Sequence, residues 1–215
     1  MIMQFRVLVL ALWLAFVPLG LSALAEQTPN EIVETTAQEI LKAMEGKREH
    51  FSQNRAELYG LIDRLLVPRF DRVYAARLVL GKHWRTASKA QRQRFVDVFY
   101  KSLLRQYAEG LLDFTADTMT VLPSRGEGDG SKATVRTVVK LDDGTEVPVD
   151  YRMRRTDEGW KVWDLVVEGI SYVKNYRTDF DSEINAKGLD AVLVRLESTS
   201  SEGKNAPPPE AKTAL

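Results

Sequence analysis

Along residues 28–113 the apolar side chains recur every three or four positions, the period of helices buried on one side. Thr28 precedes Pro29 and stands three residues ahead of Glu31, the pattern of a capping box with proline in the first turn. Ile32, Val33, Ala37, Ile40, Leu41 and Met44 then keep helical spacing until Gly46. Ser52 is placed to cap a second helix carrying Leu58, Leu61, Ile62, Leu65 and Leu66, which Pro68 stops. The segment "RFDRVYAARLVLG" sets Phe70, Val73, Tyr74, Arg77, Leu78 and Leu80 ahead of Gly81. Ser88 and Gln91 open the longest helix, whose broad face holds Phe95, Val96, Phe99, Leu103, Tyr107 and Leu111.

Past Phe114 the period falls to two, and residues 117–168 read as a sheet. "TMTVLPS" is a short strand, and "SKATVRTVVKL" follows a loop containing Gly126, Gly128 and Gly130. Turns at Asp142-Asp143-Gly144 and Asp157-Glu158-Gly159 join three successive strands. "TEVPVDYRMRRT" alternates cleanly, with Val147, Val149, Tyr151 and Met153 on one face and Pro148, Asp150, Arg152 and Arg154 on the other. The paired strand adds Val135, Val139 and Leu141 to the apolar face. "WKVWDLVVEG" is apolar on both sides and breaks at Glu168-Gly169. Closing helices over 176–197 follow, and 198–215 is a Pro-rich polar tail without periodicity, expected to be disordered. The fold class is therefore α+β: a twisted antiparallel sheet of about four strands wrapped by helices in a single domain, 26–197.

The first 25 residues change where this domain is expected to work. Arg6, the apolar run Val7–Leu21 and Ala23-Leu24-Ala25 have the layout of a secretory signal peptide with its cleavage site. No cysteine follows the run to carry a lipid anchor, and none occurs anywhere in the chain, so thiol chemistry and disulfides are excluded. Export without cysteine suits a bacterial periplasm. Removal of the leader takes Arg6, its one charge, and leaves 29 basic against 30 acidic residues. That balance predicts no general attraction to nucleic acid.

Catalytic chemistry finds little support. His50 and His83 lie in separate segments with no ligand spacing, so no metal centre or cofactor is expected. Gly169-Ile170-Ser171-Tyr172-Val173 lacks the second glycine of a nucleophile elbow. The glycines at 126, 128 and 130 lack the lysine-hydroxyl pair of a phosphate loop. Asp164 is the one acid that invites an enzymatic reading, with Tyr151 or Tyr172 as partner, because its strand places it with Trp160, Val162 and Val166. A buried structural acid is the simpler account. Arg136, Lys140, Arg152 and Arg154 form a basic group on the face away from the apolar one, either a solvated surface or a docking face for an acidic partner. "GKHWRTASKAQRQRF" is basic around Trp84, a core position flanked by cations.

The large apolar inventory allows a core or a container. From Pro68 onward the motifs "VPRFD", "ARLVLGKHWRTASKAQRQRFVDVF", "WKVWDLVVEGISYVKNYRTDF" and "GLDAVLVRL" resemble the MlaC family, the periplasmic phospholipid-binding components of the Mla lipid-transport system, also called toluene-tolerance proteins. Trp163, where tyrosine is usual, and Tyr172-Val173-Lys174 depart from the pattern without disturbing its spacing. The resemblance implies a nuclear-transport-factor-like cone, phospholipid as cargo rather than cofactor, and no catalysis. It also implies a monomeric shuttle between an MlaA–porin complex at the outer membrane and MlaD of the inner-membrane transporter, maintaining outer-membrane lipid asymmetry. On that reading the acyl chains meet Phe95, Phe99, Leu103 and Tyr107 from the long helix, Val139, Val147, Val149, Tyr151 and Met153 from the sheet, and Val166 and Ile170 at the rim.

Overall fold

A computed structural model of the chain describes residues 27–112, 119–123, 130–140 and 143–202. The expected leader, Gly126, Gly128, Leu141, Asp142 and the tail past 202 lie outside them. The first helices are α1 (Pro29–Met44), α2 (Arg48–Gln53) and α3 (Arg55–Leu66), then a 3-10 turn over Val67–Arg69. Next come α4 (Arg72–Leu80), α5 (His83–Thr86), α6 (Lys89–Tyr107) and a second 3-10 turn over Glu109–Leu112. The strands are β1 (Met119–Val121), β2 (Lys132–Lys140), β3 (Glu146–Thr156), β4 (Gly159–Val167) and β5 (Ile170–Ser171), and α7 (Tyr172–Lys187) and α8 (Leu189–Glu202) close the described chain.

Local chemistry explains most boundaries. Both capping boxes form: the Thr28 amide donates to Glu31 Oε2 at 2.7 Å, and the Ser88 amide to Gln91 Oε1 at 2.9 Å. Ser52 does not cap. It sits inside α2, anchored by buried Phe51, and gives its hydroxyl back to Glu49 O at 2.8 Å, while Asn54 separates α2 from α3. In α4 the buried stripe is Ala75, Ala76, Val79 and Leu80, and Val73 is 55% exposed, so the helix is rotated from the apolar face read in sequence. The closing segment begins at Tyr172, earlier than expected, because Ser171 Oγ accepts from the Lys174 amide and caps α7. Gly188, with φ +81°, divides it into two helices. The second of these runs to Glu202, past the boundary expected at 197.

The sheet is an antiparallel meander in the order β1-β2-β3-β4-β5. The fifth strand, unexpected from sequence, returns through a two-residue turn at Glu168-Gly169, where both residues have positive φ (+50° and +81°). That is the I′ conformation that matches strand twist. One irregularity reorganises the sheet faces: Arg152 pairs with Asp164 but Met153 pairs with Val162, leaving Trp163 as an extra residue in β4. Asp164 consequently shares a face with Val166, Arg152 and Asp150, and Val162 and Trp160 lie on the other side with Met153. The grouping of Asp164 with Trp160 and Val162 assumed strict alternation and is corrected by this bulge.

Three apolar cores result. Phe95, Phe99, Phe180 and Leu193 join α6, α7 and α8, with Phe180 edge-on to both other rings at 5.4 and 5.5 Å. Met44, Phe51, Leu58 and Ile62 join α1, α2 and α3. Ile32 and Val33 seat the start of α1 on Val135, Met153 and Val162 of the sheet.

Asp164 stitches sheet to helix. It is 1% exposed, and its carboxylate accepts from Ser171 Oγ (2.6 Å), the Val173 amide (3.0 Å) and Arg152 Nη1 (2.9 Å). On the same face Arg154 pairs with Asp71 at 2.5 Å, and the Asp71 amide donates to Val162 O at 2.8 Å, fixing the start of α4. Replacing Asp164 by Ala orphans three donors and should cost about 3 kcal/mol. Urea denaturation should show a lower midpoint at unchanged slope. A midpoint equal to wild type would remove Asp164 from this role.

Candidate functional site: an apolar cavity between the cores

The three cores do not meet, and the seam between them is a partly open cavity of about 460 Å³. That lies within the roughly 300–1,000 Å³ typical of ligand pockets. Its walls come from α1 (Ile32, Val33, Thr36, Ile40), α3 (Ile62, Leu66), α4 (Ala75, Val79) and α6 (Phe99, Leu103, Tyr107). The sheet supplies Met119, Val139, Tyr151, Leu165 and Val167, and α7 supplies Tyr172, Val173 and Tyr176. The lining is almost entirely apolar.

Of the residues expected to touch acyl chains, Phe99, Leu103, Tyr107, Val139 and Tyr151 border this cavity. Phe95 and Met153 do not: each is fully buried, the first among the α6–α8 aromatics and the second beneath α1. Val166 is buried and is not part of the lining; it lies on the face of β4 opposite Val162 and Leu165. Val147, Val149 and Ile170 are half-buried outside the lining. Sequence reading missed the α1 and α3 walls altogether. One signal was there: Thr36 interrupts an otherwise apolar stripe on α1, and a hydroxyl at such a position points to something other than plain core.

The basic group is largely committed within the protein. Arg152 pairs with Asp164, and Arg154 pairs with Asp71 while lying 4.6 Å from the Tyr74 ring centroid. Arg136 donates to Pro123 O at 2.8 Å, and Lys140 is exposed. The face they share is covered in part by the starts of α4 and α7, and is not the open solvated surface that alternation suggested.

Polar groups reaching the cavity are mostly paired. Asp164 borders it with its oxygens already taken by three donors, and the Tyr151 hydroxyl is placed against Met119 Sδ at 4.0 Å. Tyr107 and Tyr176 share a hydrogen bond of 3.1 Å, and Tyr176 donates to Gln106 Oε1 at 3.3 Å. Burial pushes the Tyr176 phenol up to about 12 and raises those of Tyr107 and Tyr151 as well. No group of three or more metal-ligating side chains occurs among the described residues, and no described helix is long and apolar enough to cross a membrane.

Comparison with known proteins gives one direction. The family model described as MlaC protein matches residues 34–198. The toluene tolerance protein ttg2D of Pseudomonas putida is 31% identical over 171 residues, covering 79% of each chain. The intermembrane phospholipid transport system binding protein MlaC of Haemophilus influenzae is 20% identical over 184 residues, covering 84% of this chain and 86% of that one. Among solved structures, a phospholipid-binding protein from Ralstonia solanacearum in complex with a phospholipid superposes with a TM-score of 0.75 at 26% identity, over 82% of this chain and 99% of the other.

The tyrosine cluster generates a pH test. An unfolded tyrosine ionises near pH 10, and Tyr176 in the folded protein does so near 12. The folded state therefore holds the proton more tightly. Its contribution is complete below pH 10 and is lost as pH rises toward 12. Stability should fall over that window, and Tyr176→Phe should flatten the fall. Phenolate absorbance titrated on the folded protein should show a late-ionising class. Uniform ionisation near pH 10 would contradict a buried cluster.

Proposed function

The chain belongs to the MlaC family, and from that premise we propose that it is a periplasmic carrier that holds the acyl chains of a phospholipid in the cavity and moves lipid between outer and inner membranes. The observation that carries this reading is the apolar cavity itself. A partly open cavity of about 460 Å³ leaves its apolar lining without packing partners on one side, which costs dispersion contacts and leaves apolar surface unburied. An apolar ligand offsets the cost, and water does so poorly because the lining offers it few partners.

The cargo has the complementary need. Each methylene moved out of water gains about 0.8 kcal/mol, so two tails of some thirty methylenes face roughly 24 kcal/mol against crossing water bare. A carrier must supply an environment close to membrane interior, and no catalytic group is needed for that. The phospholipid in the Ralstonia relative supports the same cargo class here. The name of the Haemophilus relative supports an intermembrane role. Export by the leader, an MlaA–porin complex and MlaD as partners, and maintenance of outer-membrane asymmetry complete the proposal by analogy with the family.

The enzymatic alternative has less to stand on. Asp164, Tyr151 and Tyr172 all border the cavity, but the Asp164 oxygens are already taken by Arg152, Ser171 and the Val173 amide. A general base needs an oxygen within reach of substrate.

Mass spectrometry of an organic extract of the natively purified protein should find phospholipid near one equivalent or more. Leu103→Glu places a charge in the wall at a partly buried position, and should yield folded protein with little or no lipid. An extract without lipid, together with Asp164-dependent turnover of a small molecule, would overturn the carrier reading.

A further inference from the structure

Three polar side chains at the cavity lack a full set of partners: Arg69, Thr36 and Tyr100, whose hydroxyl is buried and whose ring lies under the Arg72 guanidinium, 4.9 Å from the ring centroid. Among the described residues lining it, Arg69 is the only cationic one. It is half-buried, and its hydrogen bond is to a neutral group, Gln27 Oε1, at a long 3.4 Å. Arg152 and Arg154, on the far face of the sheet, are matched with carboxylates. Glu31, at the same end of α1 as Gln27, is engaged by the amide and hydroxyl of Thr28. Thr36 is 9% exposed, borders the cavity, and its Oγ1 has no hydrogen-bond partner. Its neighbour Thr35 shows the usual helical solution, donating to Glu31 O at 2.7 Å. Arg69 borders the cavity and reaches Gln27 just ahead of α1, and Thr36 lies about two turns into that helix.

A cation beside one end of α1 and an unpaired hydroxyl further along it answer the two polar parts of a diacyl phospholipid, the anionic head and the ester carbonyls. We propose that Arg69 binds the phosphodiester of the cargo and that Thr36 donates to an ester carbonyl of the same molecule, so that these two residues orient and select the lipid. The guanidinium then gains the bidentate anionic partner it lacks in the protein. A buried hydroxyl loses its unsatisfied state at no cost to the helix. The tyrosine cluster is a weaker candidate for the polar end, because Tyr107 and Tyr176 bond to each other and Tyr176 donates to Gln106, which is not part of the lining.

This inference rests on the carrier reading, and the experiment separates the two. Delipidated full-length protein is incubated with vesicles containing equal amounts of dioleoylphosphatidylglycerol, its dialkyl ether analogue and dioleoylglycerol. It is then re-isolated and extracted, and the bound lipids are quantified. Wild type should favour the phospholipid over the diacylglycerol by about tenfold or more. Arg69→Met should bring that ratio close to unity, and Arg69→Lys should restore part of it. Thr36→Val, nearly isosteric, should remove a preference for the diacyl over the dialkyl phospholipid while leaving the phosphate preference intact. Circular dichroism of each variant establishes that it is folded. Equal uptake of phospholipid and diacylglycerol by wild type, or an unchanged ratio in Arg69→Met, overturns the assignment of Arg69 and leaves the carrier intact. An unchanged ester preference in Thr36→Val overturns the assignment of Thr36. Uptake of no lipid by wild type overturns the carrier reading, and this inference with it.

Discussion

The buried carboxylate of Asp164 is the junction on which the cavity depends. Its oxygens receive one donor from β3, one from β5 and one from the first turn of α7. A carboxylate in an apolar setting is costly unless its lone pairs are used, so the three donors tolerate little rearrangement. That fixes the start of α7 against β4, and α7 carries Tyr172, Val173 and Tyr176 into the wall. The bulge at Trp163 makes the junction possible by turning Asp164 toward Arg152 while Val162 remains under α1. Asp71 and Arg154 do the same at the start of α4. Polar stitches thus hold apart surfaces that hydrophobic attraction alone would close.

Much of the fold was legible because it is written in local chemistry. Thr28 with Glu31 and Ser88 with Gln91 are short-range signals and formed as such. The alternation of β3 likewise marked its two faces, with Val147, Val149, Tyr151 and Met153 together. Features that depend on tertiary choice were not legible. Ser52 has the chemistry of a cap, but the burial of Phe51 places it inside a helix. Trp163 looks like any other strand residue, and only pairing with β3 shows that it is supernumerary. The fifth strand is two residues long, too short for a period.

The site was legible in kind and only partly in detail. Core and container use the same residue types, so Phe95 and Phe99, one turn apart on α6, read alike. The first is sealed among aromatic rings and the second reaches the cavity. Strict alternation grouped Val166 and Asp164 with Val162, and one inserted residue inverts the faces of a strand. The contribution of α1 was missed because an amphipathic helix near the N-terminus has an ordinary explanation as core cover.

An apolar interior closes only partly around a void, and how far it closes depends on whether the surrounding elements are free to shift. Here each of the three clusters is separately well packed, and elements bridge them: α6 contributes Phe95 and Phe99 to one and contacts another through Leu104, while α1 gives Ile40 and Met44 to one and Ile32 and Val33 to another. Those shared helices act as struts. Closing the seam would require α1 or α6 to abandon one cluster in favour of another, at the expense of several buried side chains worth about 1.5–3 kcal/mol each. Loading the seam with hydrocarbon asks for no such exchange. The packing that looks inefficient for a core is therefore what keeps an apolar cavity open for a ligand.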